Sequence, residues 1–179
     1  MLVAGVASGQ WDGPTPCTEM TVRELVAHLV AGNYVFTEIL RGTPLRAARA
    51  AGARVAPDSD LVAEYGESSA RLLAAYREPG VLEKDFVIPA GEMPGIQTLH
   101  IRIVEMLVHG WDLARATGQA AEFPDELAEQ EIRLSAAKLN AMPPDLRPFD
   151  PPQPVPAQAP AIDRLAALLG RRVSAAPRT

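Results

Sequence analysis

The sequence predicts an all-α protein, and three observations support that class. Four long segments repeat apolar residues at the three- and four-residue spacing of a helix with one buried face. Each begins or ends beside residues typical of helix caps. Strand-like sequence is confined to one short stretch, DFVIP at residues 85–89. The four segments are Thr21–Arg41, Ser59–Tyr76, Ile96–Gly118 and Pro124–Ala141. Together they predict a helical bundle.

The first long helix has the clearest start signal in the chain. Thr21 and Glu24 have the spacing of a capping box, in which each side chain accepts a hydrogen bond from the other residue's backbone N–H. Met20 and Leu25 occupy the two positions of a hydrophobic staple. Gly42 is the predicted C-terminal cap, so the helix should run to about Arg41.

The central helix, Ile96–Gly118, contains the most informative polar residues. Glu105 and His109 are four residues apart and therefore lie on one face, with Asp112 about one turn further along. Much of the helix is apolar. Burying a carboxylate and an imidazole there costs folding free energy unless a charged or hydrogen-bonding group interacts with them. A divalent metal ion would be one such group.

The remaining segments are less regular. Met1–Ala7 is predicted as the last turns of a helix, and the alanine-rich connector Gly42–Asp58 has no clear structure. Eight of the seventeen prolines fall between residues 143 and 160, which predicts a stiff, extended wrap before a short helix at Ile162–Leu169. We therefore expect a bundle at residues 1–142, with residues 143–179 packed on the same domain.

Composition excludes several classes of partner. The 179 residues carry a net charge of −5, and no basic stripe suggests nucleic acid or an anionic membrane surface. No apolar run approaches the roughly 18 residues of a membrane span.

A single cysteine, Cys17, permits no internal disulfide and suits a reducing cytoplasm. A small buried residue is the favoured interpretation of Cys17 over a reactive thiol. Trp11 and Trp111 are expected to anchor packing.

Histidine spacing suggests one shared site. If the first and central helices pack antiparallel, His28 and His109 lie about 10–12 Å from the same end of the bundle, with Glu105 one turn deeper. Two imidazoles and a carboxylate can hold a divalent metal. From spacing alone, hydrogen-bonded core histidines and a simple Glu105–His109 pair are favoured alternatives. Asp112 could orient an imidazole, but an ordinary surface carboxylate is the favoured interpretation. His100 lies nine residues before His109, so the two side chains point to opposite sides of the helix.

A resemblance raises the weight of the metal interpretation. The segments WDGPTPCTEMTVRELVAHLV, RIVEMLVHGWDLARATGQ and APAIDRLAALLGR closely resemble the mycothiol-dependent maleylpyruvate isomerase N-terminal domain family, in the DinB-like superfamily. They also closely resemble an actinobacterial branch whose members mostly have no assigned reaction. The resemblance implies an up-down-down-up four-helix bundle and a metal, commonly zinc, held by His28, Glu105 and His109. It also implies mycothiol as a possible cosubstrate.

Two features depart from the family pattern. Met20 stands where the family usually has tryptophan, and the first helix is shortened to the stub before Gly9. We therefore expect a truncated first helix, whose missing part would leave an apolar groove at the far end of the helix Thr21–Arg41, around Tyr34, Phe36, Ile39 and Leu40. A second copy, forming a homodimer, or the proline-rich tail would cover it.

Two classes of function fit these residues. The leading hypothesis is a metal-dependent enzyme that acts on a small molecule, as a thiol-dependent transferase or isomerase. The alternatives are a non-catalytic helical module that binds a metal or ligand, and a metal-dependent hydrolase with the same ligands.

Overall fold

A computed structural model describes residues 2–56, 59–147 and 149–173. This part of the chain is mostly helical. Its α-helices are α1 (Val22–Leu40), α2 (Leu45–Gly52), α3 (Leu61–Tyr76), α4 (Gly95–Thr117), α5 (Asp125–Ala141) and α6 (Ala161–Leu168). Short 3-10 helices lie at Val3–Gly5, Ser8–Gln10 and Pro144–Leu146, and two strands, β1 (Asp85–Ile88) and β2 (Gly91–Pro94), form an antiparallel hairpin. The all-helical prediction is thus right except for the hairpin, whose first strand coincides with the predicted extended stretch.

Helix α1 packs against three of the other helices. Its N-terminus has the predicted capping box: the Thr21 hydroxyl accepts from the Glu24 amide at 3.3 Å, and the Glu24 carboxylate accepts from the Thr21 amide at 2.8 Å. Helices α2, α3 and α4 all contact it. Leu25 and Val26 are fully buried on its first half. Because the capping box fixes the start of α1 and the helix packs against α4, His28 has a fixed position beside α4.

The second half of α1 is covered by this chain itself. Phe36, Ile39 and Leu40 are buried against Ala48 of α2, and against side chains of α3 and the hairpin. Within the connector Gly42–Asp58, Leu45–Gly52 forms α2, and residues 57 and 58 lie outside the described residues. The prediction of an open groove is therefore wrong. It no longer gives a reason to expect a second copy of the chain at this position.

Small residues explain how α2 comes so close to α1. A methyl group added at Gly52 would lie 2.7 Å from the Val35 side chain and 3.0 Å from the Ala31 carbonyl oxygen. Ala48 is likewise completely buried. The alanine-rich composition, which had no clear meaning in the sequence, therefore provides close contact between two helices.

Helix α6 packs against α4 and α5. Leu107 and Trp111 of α4, Leu139 of α5 and Leu165 of α6 share one buried cluster. The backbone amide of Gln153, in the extended proline-rich segment, donates to the Ala167 carbonyl at 2.9 Å. The described part of the tail therefore packs against the preceding helices. The last six residues of the chain lie outside the described part. The domain boundary between residues 142 and 143 stays a prediction.

Three large apolar side chains of the long helices are partly exposed. Leu73 is 50% exposed, Leu134 43% and Ile96 40%. Leu73 lines a shallow apolar groove with residues of α3, α4 and α5, and Leu134 lines a large cavity described below. Helical periodicity identified the inward side of each helix, but the neighbouring helices do not close over its whole width.

The N-terminal segment is not the predicted helical stub. It forms the two 3-10 helices before α1, and their sequence is interrupted by Gly5 and Gly9. Gln10 donates to the Thr117 carbonyl at 2.9 Å, and Gln119 donates to the Leu2 carbonyl at 3.0 Å. These bonds tie the segment to the end of α4. Among the described residues, no helix combines the length and apolar character needed to cross a membrane.

Candidate metal centre

His28, Glu105 and His109 come together at the contact between α1 and α4. Each offers one nitrogen or oxygen atom, and these three atoms lie within 4.8 Å of one another. The Glu105 Oε2 atom is 2.9 Å from His28 Nε2 and 3.7 Å from His109 Nε2. The two imidazole rings meet edge to face, with 5.2 Å between their centres. The structure therefore groups the three side chains that spacing and resemblance had singled out.

Two of the three separations between these atoms can be compared with those of a tetrahedral zinc site. Zinc binds imidazole nitrogen and carboxylate oxygen at roughly 2.0–2.2 Å, so two donors of a tetrahedral site are about 3.3–3.5 Å apart. The observed separations of 2.9 and 3.7 Å lie on either side of that value. The His28 side chain is 43% exposed, which leaves an open approach to the cluster. Three protein donors with an open side are typical of catalytic rather than structural zinc sites.

A buried pair orients His109. Its Nδ1 atom is 3.0 Å from Asp112 Oδ2, which leaves Nε2 facing Glu105. Asp112 is fully buried and accepts from Arg171 at both oxygens, at 3.0 and 3.3 Å. The preferred expectation of a surface carboxylate at this position is therefore wrong, because the tail brings Arg171 over it. A carboxylate behind a ligand histidine fixes its orientation and raises its basicity.

Charges around Glu105 keep it ionised. Burial alone would raise its pKa, but the hydrogen bond with His28 and the nearby charges of His109, His28 and Arg102 outweigh burial and lower the pKa to about 2. The side chain remains 23% exposed. At neutral pH the cluster thus presents an anionic oxygen close to two histidine side chains, and a carboxylate must be deprotonated to bind a divalent cation.

Arg102 is a site neighbour that sequence reasoning missed. Its guanidinium is buried, donates to the Asn33 side chain at 2.9 Å, and lies 3.8 Å from Glu105. Burial lowers its pKa, while the charge of Glu105 acts in the opposite direction. A methyl group at Gly32 would sit 2.6 Å from this guanidinium, so the glycine makes room for it. The sequence feature that could have identified this residue is an arginine three positions before Glu105 in a largely apolar helix.

Cys17 lies beside the cluster, on the loop before α1. It is half-buried, and burial raises the pKa of its thiol above the usual value. Its sulfur belongs to a second group of potential donors with His109 and Asp112, all within 4.8 Å. A raised pKa disfavours the thiolate, which agrees with the preference for a packed thiol over a reactive one.

A large cavity adjoins the centre. Its volume is about 1450 Å³, and His28, Glu105, His109 and Cys17 all line it. Its other walls come from α5, the start of α4 and the tail around Gln153. A space of this size exceeds the roughly 300–1,000 Å³ of typical small-molecule pockets.

The third histidine stands apart from the cluster, as predicted. His100 Nδ1 is 2.8 Å from the Glu131 carboxylate of α5, and both side chains line the same cavity. Trp111 is buried, and its indole N–H donates to Asp163 of α6 at 2.6 Å. Trp11 is partly buried, with the Arg23 guanidinium 5.4 Å from its ring centre.

Residues 1–114 match the family model described as the mycothiol maleylpyruvate isomerase N-terminal domain. This chain belongs to that family. Two uncharacterised proteins of Mycobacterium tuberculosis, from strains CDC 1551 / Oshkosh and ATCC 25618 / H37Rv, are each 36% identical to it over 179 residues. Those alignments cover 96% of this chain and 91% of each relative. No solved structure matches the chain significantly. The predicted resemblance is therefore confirmed, and the matched residues include all three candidate ligands.

Proposed function

We propose that this protein is a metal-dependent enzyme that acts on a small molecule in thiol chemistry, as a transferase or isomerase. The observation that carries the proposal is the convergence of His28, Glu105 and His109 on the wall of a large cavity. A zinc ion held there would lower the pKa of a bound thiol or water and so supply a nucleophile at neutral pH. Mycothiol is the proposed thiol because of the family to which the chain belongs.

The surrounding side chains have complementary roles in this proposal. Asp112 and Arg171 hold the imidazole of His109 in one orientation. Arg102 balances the charge of Glu105 from the buried side. The exposed edge of His28 and the cavity beyond it leave room for substrate. These arrangements support an open, preorganised centre.

We also propose that α1, α3 and α4 are three helices of a DinB-like four-helix bundle. Both α3 and α4 pack against α1, and the N-terminal 3-10 segment contacts α3. On this assignment, that segment takes the place of a shortened first helix. Superposition of an experimental structure on other DinB-like bundles is the test, and a different order of helix packing would contradict the assignment.

Metal analysis tests the proposed centre directly. After incubation with zinc and dialysis, wild-type protein should retain one ion per chain, whereas His109→Ala should retain almost none. His100→Gln is the matched control and should retain the wild-type amount, because His100 lies outside the cluster. Equal and low retention by wild type and His109→Ala would reject the metal centre.

Turnover distinguishes the enzyme classes. Zinc-loaded protein should accelerate the reaction of mycothiol with 1-chloro-2,4-dinitrobenzene, which forms a coloured thioether. Cleavage of ester or amide substrates without thiol would instead identify a hydrolase. Stoichiometric zinc without turnover of either kind would favour a non-catalytic binding module.

A further inference from the structure

The pair formed by His100 and Glu131 has features that packing alone does not explain. Glu131 is completely buried, and its Oε1 atom lies 2.8 Å from His100 Nδ1. Its second oxygen, Oε2, is buried without a hydrogen-bond partner among the described residues. A buried carboxylate with an unsatisfied oxygen is costly, and such groups are retained mainly where the site has a use for them.

The buried carboxylate determines what the imidazole can do. If Nδ1–H donates to Glu131, the other ring nitrogen, Nε2, has a lone pair and no proton. The His100 side chain is 25% exposed and lines the cavity, whereas Glu131 is shielded behind it. In that tautomer the ring, which borders the cavity, offers Nε2 as a hydrogen-bond acceptor. The carboxylate behind it would stabilise the imidazolium that forms when that nitrogen takes up a proton.

The pair shares its cavity with the candidate metal centre. His100 precedes Glu105 by five residues of α4, which corresponds to about 7.5 Å along the helix axis. The two residues also project about 140° apart around the helix, and both border the same space of about 1450 Å³. The other charged residues that line this cavity are Glu19, Lys138, Arg147, Asp150, Arg171 and Arg172.

We propose that His100 is the proton acceptor of this cavity and that Glu131 is its positioning residue. The inference rests on the thiol chemistry proposed above. His100 Nε2 takes the proton of the thiol S–H, and the thiolate sulfur then forms a bond to the electrophilic carbon of the second substrate. With a chloroarene, the carbon–chlorine bond breaks and chloride leaves with the electron pair. The proton passes from the imidazolium to solvent, so no oxidant or reductant is required.

The tautomer of His100 provides a test that needs neither metal nor turnover. The chain has only three histidines, so ¹⁵N-labelled protein should give three resolvable imidazole spin systems. At neutral pH, His100 should carry its proton on Nδ1. In Glu131→Gln the side-chain amide can donate to Nδ1, and the proton should move to Nε2. Glu126→Gln, an exposed position on α5, is the control and should leave the tautomer unchanged.

A proton on Nε2 of His100 in the wild type would overturn the proposal. The same tautomer in wild type and Glu131→Gln would remove the positioning role of Glu131. Because the wild-type measurement alone decides the first point, the test holds even if a variant fails to fold. It is also independent of zinc retention, so failure of the metal proposal and failure of this one are separate outcomes.

Kinetics test the role of His100 itself. In zinc-loaded protein, with mycothiol and 1-chloro-2,4-dinitrobenzene as substrates, His100→Gly should lower kcat at least 100-fold, within the range for general acid–base groups. Zinc content should not change. Added imidazole should restore part of the rate in His100→Gly, but not in His109→Ala. An unchanged kcat, or a lost rate that imidazole does not restore in a folded, zinc-loaded variant, would reject His100 as the proton acceptor.

Discussion

Two carboxylates of this cavity, Glu105 and Glu131, each pair with histidine but occupy different environments. Glu105 remains 23% exposed and has two imidazoles and the Arg102 guanidinium around it. Glu131 is fully buried and bonds one imidazole through one oxygen. The first arrangement concentrates donor atoms around an accessible point, whereas the second aims a single ring. The same residue types thus form a candidate metal-binding cluster at one position and a single carboxylate–imidazole pair at the other.

Exchanging each carboxylate for its amide should separate the two positions most clearly. Glu105→Gln should weaken zinc affinity by more than 100-fold, because an amide oxygen is a poorer ligand for zinc than a carboxylate. Glu131→Gln should leave zinc affinity within a few-fold of wild type. Competition with a chromogenic chelator measures both. Equal losses in the two variants would show that the two carboxylates serve one site.

Acid should remove stability that depends on Glu105. Its pKa of about 2 in the folded chain, against an ordinary value of 4.5, corresponds to stabilisation on the order of 3 kcal/mol above pH 5. Because the folded-state pKa is the lower one, this contribution is lost as the pH falls from about 5 towards 2. Denaturant unfolding of metal-free wild type and Glu105→Gln should show a free-energy difference that shrinks over that range.

The matched control for this measurement is Glu126→Gln, whose difference from wild type should be small at every pH because the residue is exposed. A Glu105→Gln difference that stays constant from pH 7 to pH 3 would contradict the ionised, charge-paired state of Glu105. That result would make the environment of Glu105 resemble that of Glu131.

The support behind His109 should have an intermediate effect. Asp112→Asn removes the buried charge that orients the imidazole, and we expect a 10- to 100-fold loss of zinc affinity. Asp163→Asn is a suitable control, since Asp163 accepts from Trp111 and Arg115 rather than from a ligand histidine. Isothermal titration with zinc distinguishes the two variants. A larger loss in Asp163→Asn would point to general destabilisation instead.

The space for Arg102 should have the smallest effect. Gly32→Ala places a methyl group 2.6 Å from the guanidinium and should cost about 1–3 kcal/mol of folding free energy. Gly66→Ala, on the exposed surface of α3 with open space around it, should instead stabilise by about 0.5–1 kcal/mol. Thermal unfolding measures both. Stabilisation by Gly32→Ala would show that Arg102 can leave Glu105 without cost.

Local signals in the sequence were sufficient for the long helices and for two of the candidate ligands, Glu105 and His109. The capping box at Thr21 placed the start of α1, and the four-residue spacing of Glu105 and His109 placed both on one face of α4. Such signals act within one or two helical turns, so they can be read without knowing the tertiary structure. The link from α4 to His28 required a helix-packing assumption together with family resemblance.

The tertiary structure alone decided what lies behind and around those ligands. Asp112 looked like a surface carboxylate until Arg171, 59 residues later, was placed over it. The His100–Glu131 pair joins residues 31 positions apart on two helices, and the cover over Phe36 comes from an alanine-rich helix with no recognisable pattern of its own. These contacts depend on the relative placement of whole elements. Burial and charge at a position follow from neighbours distant in sequence, which local periodicity does not encode.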